Sequence, residues 1–301
     1  MRALPPAMLR LLALAALVVP PLQGEDSGAA RFGFAGFELY RFEAGIRALT
    51  SADFDADGRT DLALLNEARS RIEVLVRLRD DVPDFPPEPE GRTSANALTF
   101  DGRFAVLHLP VERRVFALAA ADFDADGRAE LAYAQEGGEL VLVDALETKA
   151  PRFTRLRLDE LRAGCTLLAA VDLEGDGTSE LVAASDDTLL ALSVSAGALG
   201  AARRLDRIEA GLDQVHVLDA DGDGLRDLVY VYLDQDYPLR IRLGIAPGRF
   251  GPRFEPELAP LRSLAATDVE GDGRAEFAVV LKLSGRCALL ALTQAREQRL
   301  A

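Results

Sequence analysis

Five copies of one acidic phrase contain the residues of this chain that could do chemistry. Each copy has nine residues and is followed by an apolar run. Positions 1 and 5 are Asp, positions 3 and 9 are Asp or Glu, and position 6 is Gly. Position 2 is small or apolar, position 4 is small, and positions 7 and 8 vary. Their starts lie 69, 50, 47 and 49 residues apart, a near-constant spacing that indicates an internal repeat. We name the copies acidic loops 1 to 5: DFDADGRTD (Asp53–Asp61), DFDADGRAE (Asp122–Glu130), DLEGDGTSE (Asp172–Glu180), DADGDGLRD (Asp219–Asp227) and DVEGDGRAE (Asp268–Glu276).

The chemistry that this pattern predicts is calcium binding. Carboxylates at positions 1, 3, 5 and 9 can converge, because the glycine at position 6 permits a sharp turn. Calcium takes about 6 to 8 oxygen ligands, and the position-7 carbonyl can add one. The expected carboxylate ligands are Asp53, Asp55, Asp57 and Asp61; Asp122, Asp124, Asp126 and Glu130; Asp172, Glu174, Asp176 and Glu180; Asp219, Asp221, Asp223 and Asp227; and Asp268, Glu270, Asp272 and Glu276. The expected carbonyl ligands are those of Arg59, Arg128, Thr178, Leu225 and Arg274.

Two other interpretations of the acidic loops are weaker. Asp favours turns without any metal, but a turn needs no carboxylates at four fixed positions. An EF-hand begins with the same residues, but it requires a Glu at position 12 and flanking helices. Position 12 holds Leu64, Tyr133, Ala183, Tyr230 and Val279.

Short apolar or alternating runs around each loop are typical of β-strands rather than helices. The first strand is predicted at IRALTSA, VFALAAA, CTLLAAV, QVHVL and SLAAT, just before the loops. The second is predicted at LALLN, LAYAQ, LVAAS, LVYVYL and FAVVL, just after them, and the third at IEVLVRL, ELVLVDAL, TLLALSV, LRIRLGI and CALLAL. A fourth strand is predicted at FELYRF, FAVLHL, FTRLRL, AARRL and FEPEL.

Four strands in about 50 residues, repeated, are typical of a β-propeller blade. The sequence therefore predicts an all-β chain with a single propeller of five four-stranded blades. Phe37–Phe42 (FELYRF) precedes loop 1, whereas the last copy ends at its third strand. This N-terminal strand is expected to complete the last blade and close the ring, which removes an open sheet edge. An open solenoid of the same units is the alternative.

The five phrases resemble the FG-GAP/VCBS repeat family, which includes the propeller of integrin α subunits and many bacterial secreted proteins. The resemblance covers about residues 31–292 and implies a calcium-loaded propeller with up to five structural ions between the first two strands of each blade. The all-Asp loops 1 and 4 match best. Loops 3 and 5 depart by having Glu at position 3, and loops 2, 3 and 5 by having Glu at position 9. Five blades are fewer than the seven of integrins.

The N-terminus predicts export. Arg2 and Arg10 precede the apolar run Leu11–Val19, and Pro20–Gly24 follows, which is the layout of a signal peptide over residues 1–24. Nine apolar residues are too few to span a bilayer, which needs about 20 in a helix. The mature propeller, residues 25–301, is expected to be secreted, periplasmic or at the cell surface.

Composition excludes some partners. The chain has 49 Asp and Glu against 34 Lys and Arg, and the net charge of −15 argues against nucleic acid or an anionic membrane. Cys165 and Cys287 allow at most one disulfide, and two free, buried thiols are the preferred prediction. His108 and His216 are flanked by apolar strand residues and are not expected to bind metal.

The predicted function is that of a non-catalytic recognition or adhesion module, a monomer, for an unidentified protein or glycan. GxSxG, HExxH, P-loop and dinucleotide motifs are missing from the sequence. One alternative is a polysaccharide lyase or hydrolase, which would need carboxylates outside the loops. A structural cell-surface protein is the second alternative. The acidic, Pro-rich segment at about residues 80–103 is expected to be a loop insertion without a functional role. The candidate catalytic carboxylates are Asp186, Asp187, Asp234 and Asp236.

Overall fold

The structure, a computed structural model, describes residues 15–16, 45–78, 104–146, 150–195 and 197–292, with the backbone alone at 15–16. Strands dominate these residues, and the helices among them are two single turns of 3-10 helix, Glu67–Arg69 and Asp159–Leu161. No helix in this part of the chain is long and apolar enough to cross a membrane. The chain is all-β, and its five four-stranded antiparallel sheets are the blades of a β-propeller, as predicted.

The strands follow one another along the chain in the order that the repeat predicts. The N-terminal strand is β1 (Ala15–Ala16). Blade 1 comprises β2 (Ile46–Ala52), β3 (Asp61–Asn66), β4 (Arg71–Arg77) and β5 (Phe104–Pro110). Blade 2 comprises β6 (Val115–Ala121), β7 (Glu130–Gln135), β8 (Glu139–Asp144) and β9 (Arg152–Arg157).

Blade 3 contains one feature that the repeat does not have elsewhere in the described residues. It comprises β10 (Leu167–Val171), β11 (Glu180–Ala184), β12 (Thr188–Leu192) and β15 (Arg203–Arg207), with a small hairpin of β13 (Val194–Ser195) and β14 (Ala198–Leu199) between its last two strands. Blade 4 comprises β16 (Gln214–Leu218), β17 (Asp227–Val231), β18 (Leu239–Ala246) and β19 (Arg249–Phe254). Blade 5 comprises β20 (Leu261–Thr267), β21 (Glu276–Leu281), β22 (Cys287–Ala291) and β1.

One predicted strand was misplaced. FEPEL, residues 254–258, was expected to be the fourth strand of blade 4, but that strand is β19, and residues 255–260 are not in a strand. Pro256 has no backbone N–H to donate and Pro260 limits the chain in the same way, so this stretch cannot supply a continuous ladder of hydrogen bonds. Register shifts between Arg242 and Ala246 let β18 pair with the earlier segment.

An N-terminal strand completes the last blade, as predicted, but it consists of different residues. Ala15 pairs with Ala291 and Ala16 with Leu290. This strand falls inside the predicted signal peptide, whereas Phe37–Phe42 lies outside the described residues. The edge of β22 offers unpaired backbone groups that any extended strand can satisfy, so the sequence pattern could not identify which segment pairs there. The insertion at residues 80–103 also lies outside the described residues.

Two compact units make up the chain. One consists of Gln23–Asp172 and Asp176–Ala210 and includes blades 1 to 3; the other consists of Met1–Leu22, Leu173–Gly175 and Gly211–Ala301 and includes blades 4 and 5. Within the first unit, one apolar core joins residues of blades 1 and 2 and a second joins blades 2 and 3. Within the second unit, one core joins residues of blades 4 and 5. Within each unit, therefore, the apolar packing occurs between consecutive blades.

Candidate functional site

Each acidic loop connects the first and second strands of its blade. Loop 1 links β2 to β3, loop 2 links β6 to β7, and loops 3, 4 and 5 occupy the same place in blades 3, 4 and 5. Position 9 is the first residue of the second strand in every blade. The flanking elements are strands, so these loops are not EF-hands.

The carboxylate at position 1 folds the loop around itself. The position-6 amide donates to its Oδ2 in all five loops, at 2.8, 2.9, 3.1, 2.8 and 2.8 Å. Its Oδ1 also accepts the position-5 amide in loops 1, 2, 3 and 5, at 3.0 to 3.2 Å. At Asp268 these amides, that of Gly273 above all, lower the pKa of the carboxyl. The backbone of the loop thus holds the position-1 carboxylate in every copy, and in loop 5 it favours the anionic form of Asp268.

The turn requires two left-handed residues rather than one. At position 6 the glycines have φ between +83° and +90°, as the sequence predicts. Position 4 is also left-handed, with φ of +58° at Ala56, +59° at Ala125, and +74° to +78° at the glycines of loops 3, 4 and 5. The spacing of the acidic residues does not reveal this requirement. The feature of the sequence that could have indicated it is that position 4 is always Ala or Gly.

The position-5 carboxylate makes one further contact that recurs in every loop. Its Oδ1 accepts a hydrogen bond from the position-7 amide at 2.8 to 2.9 Å. The residues whose carbonyls are predicted to bind the cation are therefore adjacent to the acidic groups: Arg59, Arg128, Thr178, Leu225 and Arg274. In loop 1 the Arg59 side chain also donates to the Leu78 carbonyl at 2.8 Å, which ties the loop to the end of β4.

The position-9 carboxylate is buried beneath the loop in loops 1, 2, 4 and 5 and is half-buried in loop 3. The position-2 amide donates to it in loops 1, 2, 4 and 5, at 2.8 to 2.9 Å. In the all-Asp loops the second oxygen accepts an amide from the third strand: Arg77 donates to Asp61 at 2.6 Å, and Gly244 donates to Asp227 at 2.7 Å. Sequence spacing does not reveal these third-strand donors, because they come from 16 and 17 residues away.

Burial of these carboxyl groups makes the ionised form costly. Burial raises the pKa of Glu130 to about 7, with nearby Asp124 and Asp122 adding to the rise. Burial likewise raises the pKa of Asp227 to about 6 and raises the pKa of Asp61, although backbone amides oppose the shift at both. Within the loops, burial and then the neighbouring position-5 charge raise the pKa of Asp55 and Asp124. A cation would relieve this repulsion.

The structure gathers the carboxylates in three of the loops. Oxygen atoms from all four positions of loop 2 lie within 4.8 Å of one another, and so do three from loop 1 and three from loop 4. Among the described residues, loops 3 and 5 form no such group. These are the two loops with Glu at position 3, where the longer side chain changes where the carboxylate lies. The groups are Asp122, Asp124, Asp126 and Glu130; Asp53, Asp55 and Asp57; and Asp219, Asp221 and Asp227.

Loop 2 has the donor set that fits a divalent cation best. Its oxygens are hard carboxylate donors, which suit calcium. Oδ1 of Asp124 is buried and has no hydrogen-bond partner, and a buried carboxylate oxygen in that state is costly unless a cation or proton satisfies it. Asp144, at the end of β8, adds negative charge that further raises the pKa of Asp124 and Glu130. Asp144 lies outside the repeated phrase, so the repeat pattern does not identify it.

The other residues that the sequence analysis considered make ordinary contacts. Asp234 forms an ion pair with Lys282 on the surface, and Asp187 accepts a hydrogen bond from the Thr188 hydroxyl at 2.9 Å. Among described residues, neither belongs to a group of converging carboxylates. His216 Nε2 lies 3.0 Å from Gln214 Oε1, and burial lowers its pKa.

Both cysteines are free, as preferred from the sequence, but the expectation that both are buried is wrong for Cys287. Cys165 is buried and burial raises the pKa of its thiol to about 11, so it is held as an unreactive thiol, whereas Cys287 is exposed.

Comparisons with known proteins show similarity of fold alone. No protein-family model matches the sequence, and no curated protein matches it. Two crystal structures of BBS1N in complex with ARL6DN are similar to this chain, and each alignment covers 83% of it. The structure soaked with lead is 11% identical over 67% of its own chain, with a TM-score of 0.47. The structure soaked with mercury is 15% identical over 71% of its own chain, with a TM-score of 0.48. The Photorhabdus luminescens Tc holotoxin pore is 17% identical over 81% of this chain and 14% of its own, with a TM-score of 0.41. At these identities and TM-scores, the similarities carry no argument about function.

Proposed function

We propose that this chain is an exported, calcium-stabilised β-propeller that acts as a non-catalytic recognition or adhesion module for a protein or glycan. The observation that carries the proposal is the convergence of loop 2, where four carboxylates each place one oxygen within 4.8 Å of the others and Asp124 has a buried oxygen without a hydrogen-bond partner. Loops 1 and 4 repeat the arrangement with three carboxylates each. The proposal includes membership of the FG-GAP/VCBS repeat family and removal of residues 1–24, after which the predicted strand at Phe37–Phe42 would replace β1 at the edge of β22.

Calcium explains why the acidic groups are placed where they repel. Several carboxylates in each loop are desolvated and repel one another. A positive charge at the centre of the loop is needed to offset both effects. The turn bonds from positions 5, 6 and 7 leave the remaining carboxylate oxygens of the loop for a cation. Calcium accepts this irregular set of oxygens more readily than magnesium, which demands near-octahedral geometry and retains waters.

Recognition is the role that a rigid propeller with ordered hairpin ends supports. Every acidic loop lies at the same connection in its blade, so bound ions would stiffen one set of exposed loops together. Loops held rigidly on a scaffold are common binding surfaces, because little conformational freedom is then lost on binding. The fold by itself does not identify the ligand.

Thermal unfolding tests whether calcium binds the folded state. A single ion at about 100 times its dissociation constant adds about 2.7 kcal/mol to the free energy of unfolding. We expect a lower melting temperature in EDTA, recovery on adding calcium in excess of EDTA, and weaker recovery with magnesium. An identical melting curve in all three conditions would rule out structural calcium.

Position-3 substitutions test which loops hold the ions. Asp55→Asn, Asp124→Asn and Asp221→Asn should each remove one site from a calorimetric calcium titration, because each takes a carboxylate from a converging group. Glu174→Gln and Glu270→Gln are the matched controls at the same loop position and should leave the tight sites unchanged. Equal losses from all five variants would contradict the assignment to loops 1, 2 and 4.

The recognition role needs a separate experiment. Residues 25–301 can be applied to a glycan array and used as bait in pull-down, in calcium and in EDTA. We expect a saturable ligand in calcium whose binding weakens in EDTA. Polysaccharide cleavage that survives loss of the acidic loops would instead favour an enzyme.

A further inference from the structure

One backbone hydrogen bond joins consecutive acidic loops at the same two positions in both units. The Ala129 amide, at position 8 of loop 2, donates to the Asp53 carbonyl, at position 1 of loop 1, at 2.8 Å. The Ala275 amide, at position 8 of loop 5, donates to the Asp219 carbonyl, at position 1 of loop 4, at 2.7 Å. The same bond thus recurs at blades 1 and 2 and at blades 4 and 5.

The position-2 side chain reinforces the same junction. Phe54, at position 2 of loop 1, is fully buried in the core that includes Leu131 and Tyr133 of blade 2. Ala220, at position 2 of loop 4, is fully buried in the core that includes Phe277 of blade 5. The first two residues after the first strand of blades 1 and 4 therefore contact both their own loop and the next blade.

Loop 5 makes a further contact with loop 4. The Arg274 side chain lies over Gly222, at position 4 of loop 4, where an added Cβ would lie 3.5 Å from Arg274 Cδ. Arg274 is adjacent to Ala275 in sequence, so the contact and the hydrogen bond act at the same place. Positions 7 and 8 of one loop thus lie against positions 1 and 4 of the preceding loop.

We propose that each such pair of loops is an inter-blade fastener, in which cation occupancy of loops 1 and 4 controls how firmly blades 2 and 5 are docked. The proposal rests on the proposed function for its cation. Position 1 couples the two events, because its carboxylate holds the loop while its own carbonyl accepts the bond from the next blade. The position-9 carboxylate fixes position 2 from beneath, through its bond to the position-2 amide.

Hydrogen exchange measured by mass spectrometry on the full chain tests this coupling. The double variant Asp55→Asn with Asp57→Asn weakens cation binding by loop 1. It keeps Asp53 and Asp61, which hold the turn. In calcium, we expect exchange of the segment containing Ala129 in blade 2 to become about tenfold faster, while the segment containing Ala275 is unchanged. The matched variant in loop 4, Asp221→Asn with Asp223→Asn, should give the reverse pattern.

The outcomes separate the fastener from calcium binding. Faster exchange confined to residues 53–61, with Ala129 unaffected, would overturn the fastener. If calcium does not change hydrogen exchange at any acidic loop of the unsubstituted chain, the proposed function fails. The Asp53→Ala variant, measured in EDTA, then still tests whether loop 1 fastens blade 2. That variant removes the turn bonds of loop 1, so Ala129 should exchange faster while Ala275 does not. An unchanged rate at Ala129 would show that loop 1 does not hold blade 2.

Discussion

At position 4 of the acidic loops, a single residue carries a conformational cost. Ala56 and Ala125 adopt left-handed φ values of +58° and +59°, a region that costs a residue with a Cβ roughly 1 to 2 kcal/mol. Loops 3, 4 and 5 avoid this cost by having glycine there. Alanine is retained in the two loops whose position 3 and position 5 are both Asp and whose position 2 is Phe. Nothing in the structure explains that choice.

Gly58→Ala should destabilise the chain through the backbone alone. Gly58 has φ +83°, and no atom lies within 4 Å of an added Cβ, so no clash contributes. We expect the free energy of unfolding to fall by about 1 kcal/mol in urea denaturation. Ala56→Gly, in the same loop, is the control in the other direction and should not destabilise by as much. Equal destabilisation by both would contradict the left-handed requirement.

Glu130 should make the metal-free protein less stable as pH rises. Burial raises its pKa to about 7 in the folded state, above its unfolded value, so folding favours the protonated form. Its contribution to stability is therefore full below about pH 4 and is lost as pH rises through about 7. In EDTA, the free energy of unfolding in urea should decline less between these two pH values for Glu130→Gln than for the unsubstituted chain. The same decline in both proteins would exclude Glu130 as its source.

At the scale of elements, position 2 of loops 1, 2 and 4 packs against the following blade of the same unit. Phe54, Phe123, Leu173 and Ala220 are fully buried, whereas Val269 of loop 5 is 55% exposed. In loops 1, 2 and 4 this side chain lies in an apolar core shared with the next blade. The position therefore contributes to packing between blades more than to the loop itself.

Phe54→Ala should weaken the junction of blades 1 and 2. Truncating a fully buried Phe leaves a cavity and costs about 3 to 5 kcal/mol, and calorimetry should show a lower melting temperature. Val269→Ala is the matched control at the same loop position and should change stability by less than about 1 kcal/mol, because its side chain is already exposed. A comparable loss from both variants would show that position 2 stabilises the loop and not the junction.

Strand prediction succeeded where one pattern dominated. The segments IRALTSA, VFALAAA and QVHVL match β2, β6 and β16 residue for residue. The fourth strand of blade 4 was misplaced because Gly251 and Pro252 make β19 resemble a turn, while FEPEL alternates without being able to pair continuously. The hairpin of β13 and β14 was not predicted, since its strands are two residues each and carry no periodicity.

At the scale of the whole molecule, net charge sets how the protein responds to salt. The chain carries −15, and much of the acid is concentrated in five short loops. Like charges held close together destabilise the compact state, and each bound divalent cation offsets two of them. The response to salt should therefore depend on whether calcium is present.

Sodium chloride should stabilise the metal-free protein more than the calcium-loaded one. Raising the salt concentration from about 0.05 to about 0.5 M shortens the Debye length and screens the repulsion between carboxylates. We expect the melting temperature in EDTA to rise over this range and to change less with calcium bound. An equal rise in both conditions would indicate that the loop carboxylates do not dominate the effect.

Local patterns in the sequence were enough to predict the repeat, the five-bladed all-β architecture and the hairpin that holds each acidic loop. These follow from local spacing, because a nine-residue turn between two alternating strands has few conformations available. Only the tertiary structure decided which loops gather their carboxylates, which amides of the third strand hold Asp61 and Asp227, and how Ala129 reaches Asp53. Those contacts join strands and blades that are distant in sequence, so distances between their atoms depend on packing that no local pattern encodes.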